Sequence, residues 1–287
     1  MARIVDTVPE FEAFAKSAGL EIPIRREMLW KDRYQKAHRE VFEAFFAAAG
    51  PPEGIPAMMR ELSRVRERVA EAAPIMRAHI DDVDPRLADV LGRPAEPAPV
   101  HVLMVGTFAT NAVVGRLGDD VAVFHCLEWF QSVEGSKVLV AHEGAHAWHR
   151  IALAEAGTGG EGTAEDPPEE DVDWLAFSEG FAIAASRAAV PDRPEVDYFW
   201  YGHPEVEDWL PWCRDRREEI IDLFRSSLDD PKAFDTFFGA GFVQGKWRVG
   251  YFVADELVKG LGLSLQEMAT TSVADGKAAI RRALGVE

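Results

Sequence analysis

The residues best suited to chemistry lie in the run VLVAHEGAHAWHR, residues 138–150, which holds His142, Glu143 and His146 in the pattern H-E-x-x-H. On a helix, positions four apart stand one turn above each other on one face, so both imidazoles can meet a single ion. Glu143 is rotated from His142 by about 100° around the axis. It can therefore stand beside the ion without ligating it and act as general base on a water that zinc has acidified. The apolar run Val138-Leu139-Val140-Ala141 makes this helix a buried one, and two His and a Glu on it need partners. Gly144 costs about 1 kcal/mol in a helix interior relative to Ala. The bland alternative is a helix whose two histidines are bonded to carbonyl groups of the core.

A catalytic zinc needs a third protein ligand. His149 lies seven residues after His142 on nearly the same face, but a continuous helix separates them by about 10.5 Å. Metal–nitrogen bonds of about 2.1 Å do not bridge that gap, which leaves His149 as polar cover. The stretch WLAFSEGFAIAAS, 174–186, offers a better candidate, because Glu179 shares a helical face with Leu175, Ala182 and Ser186. A carboxylate on an apolar face needs a cation or hydrogen-bond donors. A zinc ion brought by the neighbouring helix would serve, and so would an arginine.

These residues must be positioned by the elements around them. Residues 7–19 read as a short helix with Thr7 as its N-cap and Gly19 as its stop, followed by helical stretches at 26–49 and 55–79. Four prolines in 85–99 break the pattern and mark a boundary, giving an N-terminal helical subdomain over 1–95 and a catalytic domain over 100–287. The apolar, β-branched runs 100–108 and 120–126 read as strands, with 111–116 a third. Helices are expected at 133–154 and 172–189, joined by a loop whose residues 155–173 hold eight Asp/Glu and no Lys/Arg. Between them and the C-terminal helices (214–228, 247–260, 264–285) lies an aromatic cluster: Tyr198, Phe199, Trp200, Tyr201, Trp209 and Trp212. Such clusters are more often core than pocket. A small sheet followed by many helices predicts an α+β, mostly helical fold.

Composition narrows the function. The 287 residues carry 31 Lys/Arg against 49 Asp/Glu, a formal net charge of −18, which argues against nucleic acid and anionic membrane surfaces as partners. Residues 1–100 hold 15 Lys/Arg and 17 Asp/Glu, so nearly all the excess negative charge lies beyond them. Two cysteines, Cys126 and Cys213, form no disulfide framework. No apolar run approaches the roughly 20 residues needed to span a bilayer. No secretory signal is evident at the start of the sequence, so a cytoplasmic location is expected.

H-E-x-x-H followed, 33 positions after its second His, by Ser178-Glu179-Gly180-Phe181-Ala182 resembles the gluzincin metallopeptidases, whose third ligand is the Glu of an E-G-[FL]-A helix. Ser178 stands where aminopeptidases of that group carry Asn, outside the ligand set. The stretch from Gly245 to Leu257, together with Ser264-Leu265-Gln266-Glu267, is similar to the C-terminal helices of a family of predicted bacterial Zn-dependent proteases. The resemblance covers roughly residues 100–285. It implies a zincin-like catalytic domain binding one Zn2+ through His142, His146 and Glu179, with Glu143 as base. It also implies Tyr251 as the oxyanion-stabilising residue, a role that Arg248 or His203 could fill instead. Substrate would add as a strand along the edge formed by 111–116. The sequence has no G-x-M-E-N exopeptidase element before the His helix, which argues against aminopeptidase activity proper; the expected activity is hydrolysis of peptide or protein substrates. The alternatives are a zinc hydrolase of a non-peptide amide or ester, and a non-enzymatic metal-binding interaction protein.

Overall fold

The computed structural model describes residues 2–157, 171–204 and 206–286. The expected acidic loop falls largely on 158–170, outside the described residues. The chain forms two compact units, one of Met1–Pro85 with Ala95–Ala147, the other of Arg86–Pro94 with Trp148–Glu287.

The first unit is built on a four-stranded mixed sheet of order β1-β2-β4-β3, with β1 at Arg3–Asp6, β2 at Val100–Met104, β3 at Ala112–Leu117 and β4 at Asp120–Cys126. β1 and β2 are parallel, as are β2 and β4, while β3 pairs antiparallel with β4 through Ala112↔His125 to Leu117↔Asp120. β2 is buried at every position, as a strand flanked on both sides and covered on both faces should be. β3 is one edge of the sheet, so the 111–116 stretch is an edge strand as expected. β1 carries little strand signal in its sequence: only Ile4 and Val5 of its four residues are apolar. It is held by parallel pairing with β2 and by Arg3, whose guanidinium meets Asp120 at 2.6 Å.

Helices α1 (Val8–Ala18), α2 (Pro23–Leu29), α3 (Arg39–Ala49), α4 (Ile55–Arg60) and α5 (Leu62–Val90) supply the rest of this unit, the last turn of α5 lying beyond it. The stretch 26–49, expected as one helix, is divided by a π-helical segment at Trp30–Gln35. That segment places Trp30 and Tyr34 at the centre of the core, where their rings meet Phe11, Phe14 and Phe42. The Tyr34 hydroxyl lies 2.6 Å from Thr7 Oγ1 and accepts from the Val105 backbone N–H, joining α1 to the end of β2. Thr7 is thus a core contact and does not cap α1 with its side chain. α5 continues through Pro74 and Pro85, further than the proline pattern suggests.

α6 (Val133–Ala156) belongs to the first unit as far as Ala147 and to the second from Trp148. The second unit centres on α7 (Val172–Ala189), whose bounds match the sequence reading. The shorter α8 (Asp197–Trp200), α9 (Trp209–Asp215), α10 (Arg217–Ser226) and α11 (Ala233–Phe237) follow, then a hairpin of β5 (Phe242–Val243) and β6 (Lys246–Trp247). The chain closes with α12 (Val249–Gly260), α13 (Leu265–Met268) and α14 (Val273–Leu284). α7 packs on α12 and α14. Buried carboxylates fasten these contacts: Asp255 of α12 takes both forks of Arg187, and Asp173 of α7 takes Arg281 of α14. Among the described residues no helix is long and apolar enough to cross a membrane.

Candidate metal centre

α6 starts at a serine that ties down its first turn: Ser132 Oγ accepts from the Gly135 N–H at 3.0 Å, and its carbonyl accepts from Ser136 N–H. The following apolar run is buried, with Val138, Val140 and Ala141 fully enclosed. That burial carries His142 into the interior and leaves Glu143 and His146 partly open. The Nε2 atoms of His142 and His146 lie 3.2 Å apart, with ring planes at 78°. Two nitrogens bound tetrahedrally to one ion at about 2.1 Å would stand about 3.4 Å apart. The two rings therefore already hold nearly the spacing of a shared ion.

Glu179 lies in the middle of α7, next to Gly180. A β-carbon on Gly180 would fall 2.4 Å from the Ala254 carbonyl oxygen, so glycine here lets α7 and α12 approach backbone to backbone. One donor atom each from His142, His146 and Glu179 forms a group within 4.8 Å, which could hold a metal ion. Two bonds of about 2.1 Å span at most roughly 4.2 Å, so the group stands slightly wider than a closed ligand set. Two imidazoles and a carboxylate are the donor chemistry of catalytic zinc sites, so the residues present fit the ion.

Glu143 lies close enough to β4 to act on Cys126. Burial pushes that thiol well up, and the charges of Glu128 and Glu143 add to the effect. His149 is buried, and its Nε2 meets the Thr271 carbonyl at 3.1 Å. Its ring packs on Trp174, Phe177 and Phe181. His149 is thus not in the donor group. His203 is exposed and its Nδ1 meets the Pro204 carbonyl. Tyr251 stands in the first turn of α12 with the Arg248 guanidinium 3.9 Å from its ring centre and Phe238 at 5.7 Å on an edge.

The aromatic cluster divides: Tyr198, Phe199 and Trp209 are core, while Trp200 and Tyr201 are half-buried beside Arg248. Two further buried polar groups lie outside the candidate residues of the sequence. Glu128, in the short 3-10 turn after β4, accepts from the Gly106 and Phe108 N–H groups at 2.9–3.0 Å. His101 Nδ1 meets His125 Nε2 at 3.0 Å across β2 and β4, with Asp84 at 3.5 Å from His101 Nε2. The histidine signal was legible, since each stands alone in an apolar strand. Comparison with protein-family models, with curated proteins and with solved structures finds no match for this chain.

Proposed function

We propose that the protein is a zinc-dependent peptidase of the gluzincin type, acting on peptide or protein substrates. The observation that carries the reading is the convergence of His142, His146 and Glu179 as a donor group, with Glu143 one residue from the first histidine on the same helix. A zinc ion bound there would acidify a water and polarise a substrate carbonyl.

The remaining chemistry falls to the chain. His142 and His146 offer Nε2 lone pairs, which fixes their protons on Nδ1. The Glu143 carboxylate is partly open to solvent, so it can take a proton from the attacking water and return it to the leaving nitrogen. The resemblance assigns Tyr251 to the developing oxyanion: a phenolic O–H donates there without adding charge to the ground state. An extended substrate can pair along β3, which is an edge of the sheet.

The test is a Glu143→Gln variant, which keeps the shape of the site and removes the base. It should retain about one zinc per chain and lose hydrolysis of a mixed peptide library by at least about 100-fold. Undiminished hydrolysis would refute the role of Glu143. A wild-type protein that binds zinc and cleaves none of the library would favour metal binding without peptidase chemistry.

A further inference from the structure

Arg248 is held in an unusual setting for this chain. Its backbone is left-handed (φ 60°), and its guanidinium carbon lies within 3.9–6.0 Å of four aromatic ring centres: Tyr251, Trp200, Tyr201 and Trp247. The rings stabilise the cation through their faces but offer few acceptors for its five N–H donors. One terminal nitrogen donates to the Phe199 carbonyl at a long 3.3 Å, and the guanidinium bonds the Tyr201 side chain. Nε is shut off from solvent with no hydrogen-bond partner. No ion pair reaches Arg248 among the described residues, whereas Arg187, Arg193 and Arg281 each hold a carboxylate at 2.6–3.1 Å. With 49 acidic side chains in the protein against 31 basic ones, a half-buried arginine left without a carboxylate is conspicuous.

Its surroundings favour the charge all the same. Burial opposes it, but Tyr251, Tyr201 and Glu179 outweigh burial and hold the guanidinium pKa up. Glu179 is the nearby source of full negative charge. Once that carboxylate is committed to a cation, Arg248 has no counter-charge of its own, and an incoming anion would supply it.

From this geometry we infer that Arg248, caged by Trp200, Tyr201, Trp247 and Tyr251, receives a carboxylate of the ligand. A planar guanidinium suits a carboxylate through paired N–H···O bonds. Trp247 is well exposed, and Trp200, Tyr201, Tyr251 and Arg248 are half-buried, so the cage opens to solvent. Identifying the ligand as a peptide rests on the peptidase reading, while the carboxylate receptor itself does not. Two sources share this chemistry: the chain end of a peptide and an Asp or Glu side chain.

Calorimetric titration of the zinc-loaded Glu143→Gln protein separates them without turnover. Acetyl-Ala-Ala-Ala with a free terminal carboxylate is compared with its C-terminal amide, and acetyl-Ala-Asp-Ala-amide with its Asn counterpart. At least one carboxylate probe should bind about tenfold or more tightly than its neutral partner, and the stronger of the two names the source. Adding Arg248→Met should abolish that preference with zinc content unchanged, and Arg248→Lys should restore part of it. Equal binding of acid and neutral probes, or no binding of either, would overturn the inference. So would a preference that survives Arg248→Met, because the carboxylate would then be held elsewhere, for example by the metal. If Arg248→Met fails to fold, Arg248→Gln makes the same comparison, and equal binding of acid and neutral probes by the Glu143→Gln protein overturns the inference without either variant. Loss of the peptidase reading would appear separately, as absent cleavage by the wild type.

Discussion

Glu128 is fully enclosed, and the Gly106 and Phe108 N–H groups only partly offset its desolvation, so burial pushes its carboxyl up to about 7. His125 moves the opposite way relative to its charge: burial first, then His101, holds it well below the ordinary histidine range. Both groups favour their neutral forms in the folded state, and their pH signs are opposed. The folded protein binds the Glu128 proton more tightly than the unfolded chain does. Its contribution is therefore full below about 4.5 and is lost as pH rises through about 7. Unfolded His125 takes up a proton near 6.5, so its contribution is lost as pH falls below that value. Denaturant unfolding should show Glu128→Gln gaining on wild type between pH 5 and 7, by at most roughly 3 kcal/mol. His125→Gln should gain in the reverse direction, and parallel pH profiles for all three proteins would contradict both assignments. Sequence could not single out Glu128, because its role depends on backbone donors some 20 residues away. His142, Glu143 and His146 were legible because their relation is local, fixed by the period of one helix.

At the scale of elements, the approach of α7 to α12 sets where Glu179 stands. Gly180→Ala would place a methyl group 2.4 Å from the Ala254 carbonyl and 2.5 Å from a Val258 methyl, and the carbonyl belongs to helix backbone that cannot rotate away. The expected loss is about 1–3 kcal/mol of stability. Zinc affinity should weaken with it, because the displaced turn carries Glu179. Unchanged stability and zinc affinity would show that the close packing is not needed. α7 was legible from 172 to 189 because its apolar pattern continues without a breaker, and α6 extends only two residues past its expected end. The 26–49 stretch was not: its apolar spacing fits one helix, but burying both Trp30 and Tyr34 is achieved through a π segment that no local pattern signals. β1 likewise depends on a partner strand almost 100 residues away.

For the whole molecule, a net charge of −18 concentrated beyond residue 100 leaves a surplus of carboxylates that a cation can relieve. Glu179 is one of them, and metal bound only by the folded protein stabilises it by mass action, by about 4 kcal/mol at a free concentration 1,000 times Kd. Zinc should therefore raise the thermal midpoint of wild type and chelation should lower it. His142→Ala and Glu179→Ala should each lose most of that response; retention of the full shift in both would mean that zinc acts elsewhere. Charge and composition narrowed the partners in the sequence, but only the folded chain shows Arg248 without a carboxylate among so many.

The proposed chemistry requires one metal ion shared by His142, His146 and Glu179. Anomalous diffraction at the zinc absorption edge, from crystals of zinc-loaded protein, tests it directly. A single strong peak is expected about 2.1 Å from the Nε2 atoms of both histidines and from a Glu179 carboxylate oxygen. Zinc density at other residues, with these three side chains unengaged, would contradict it.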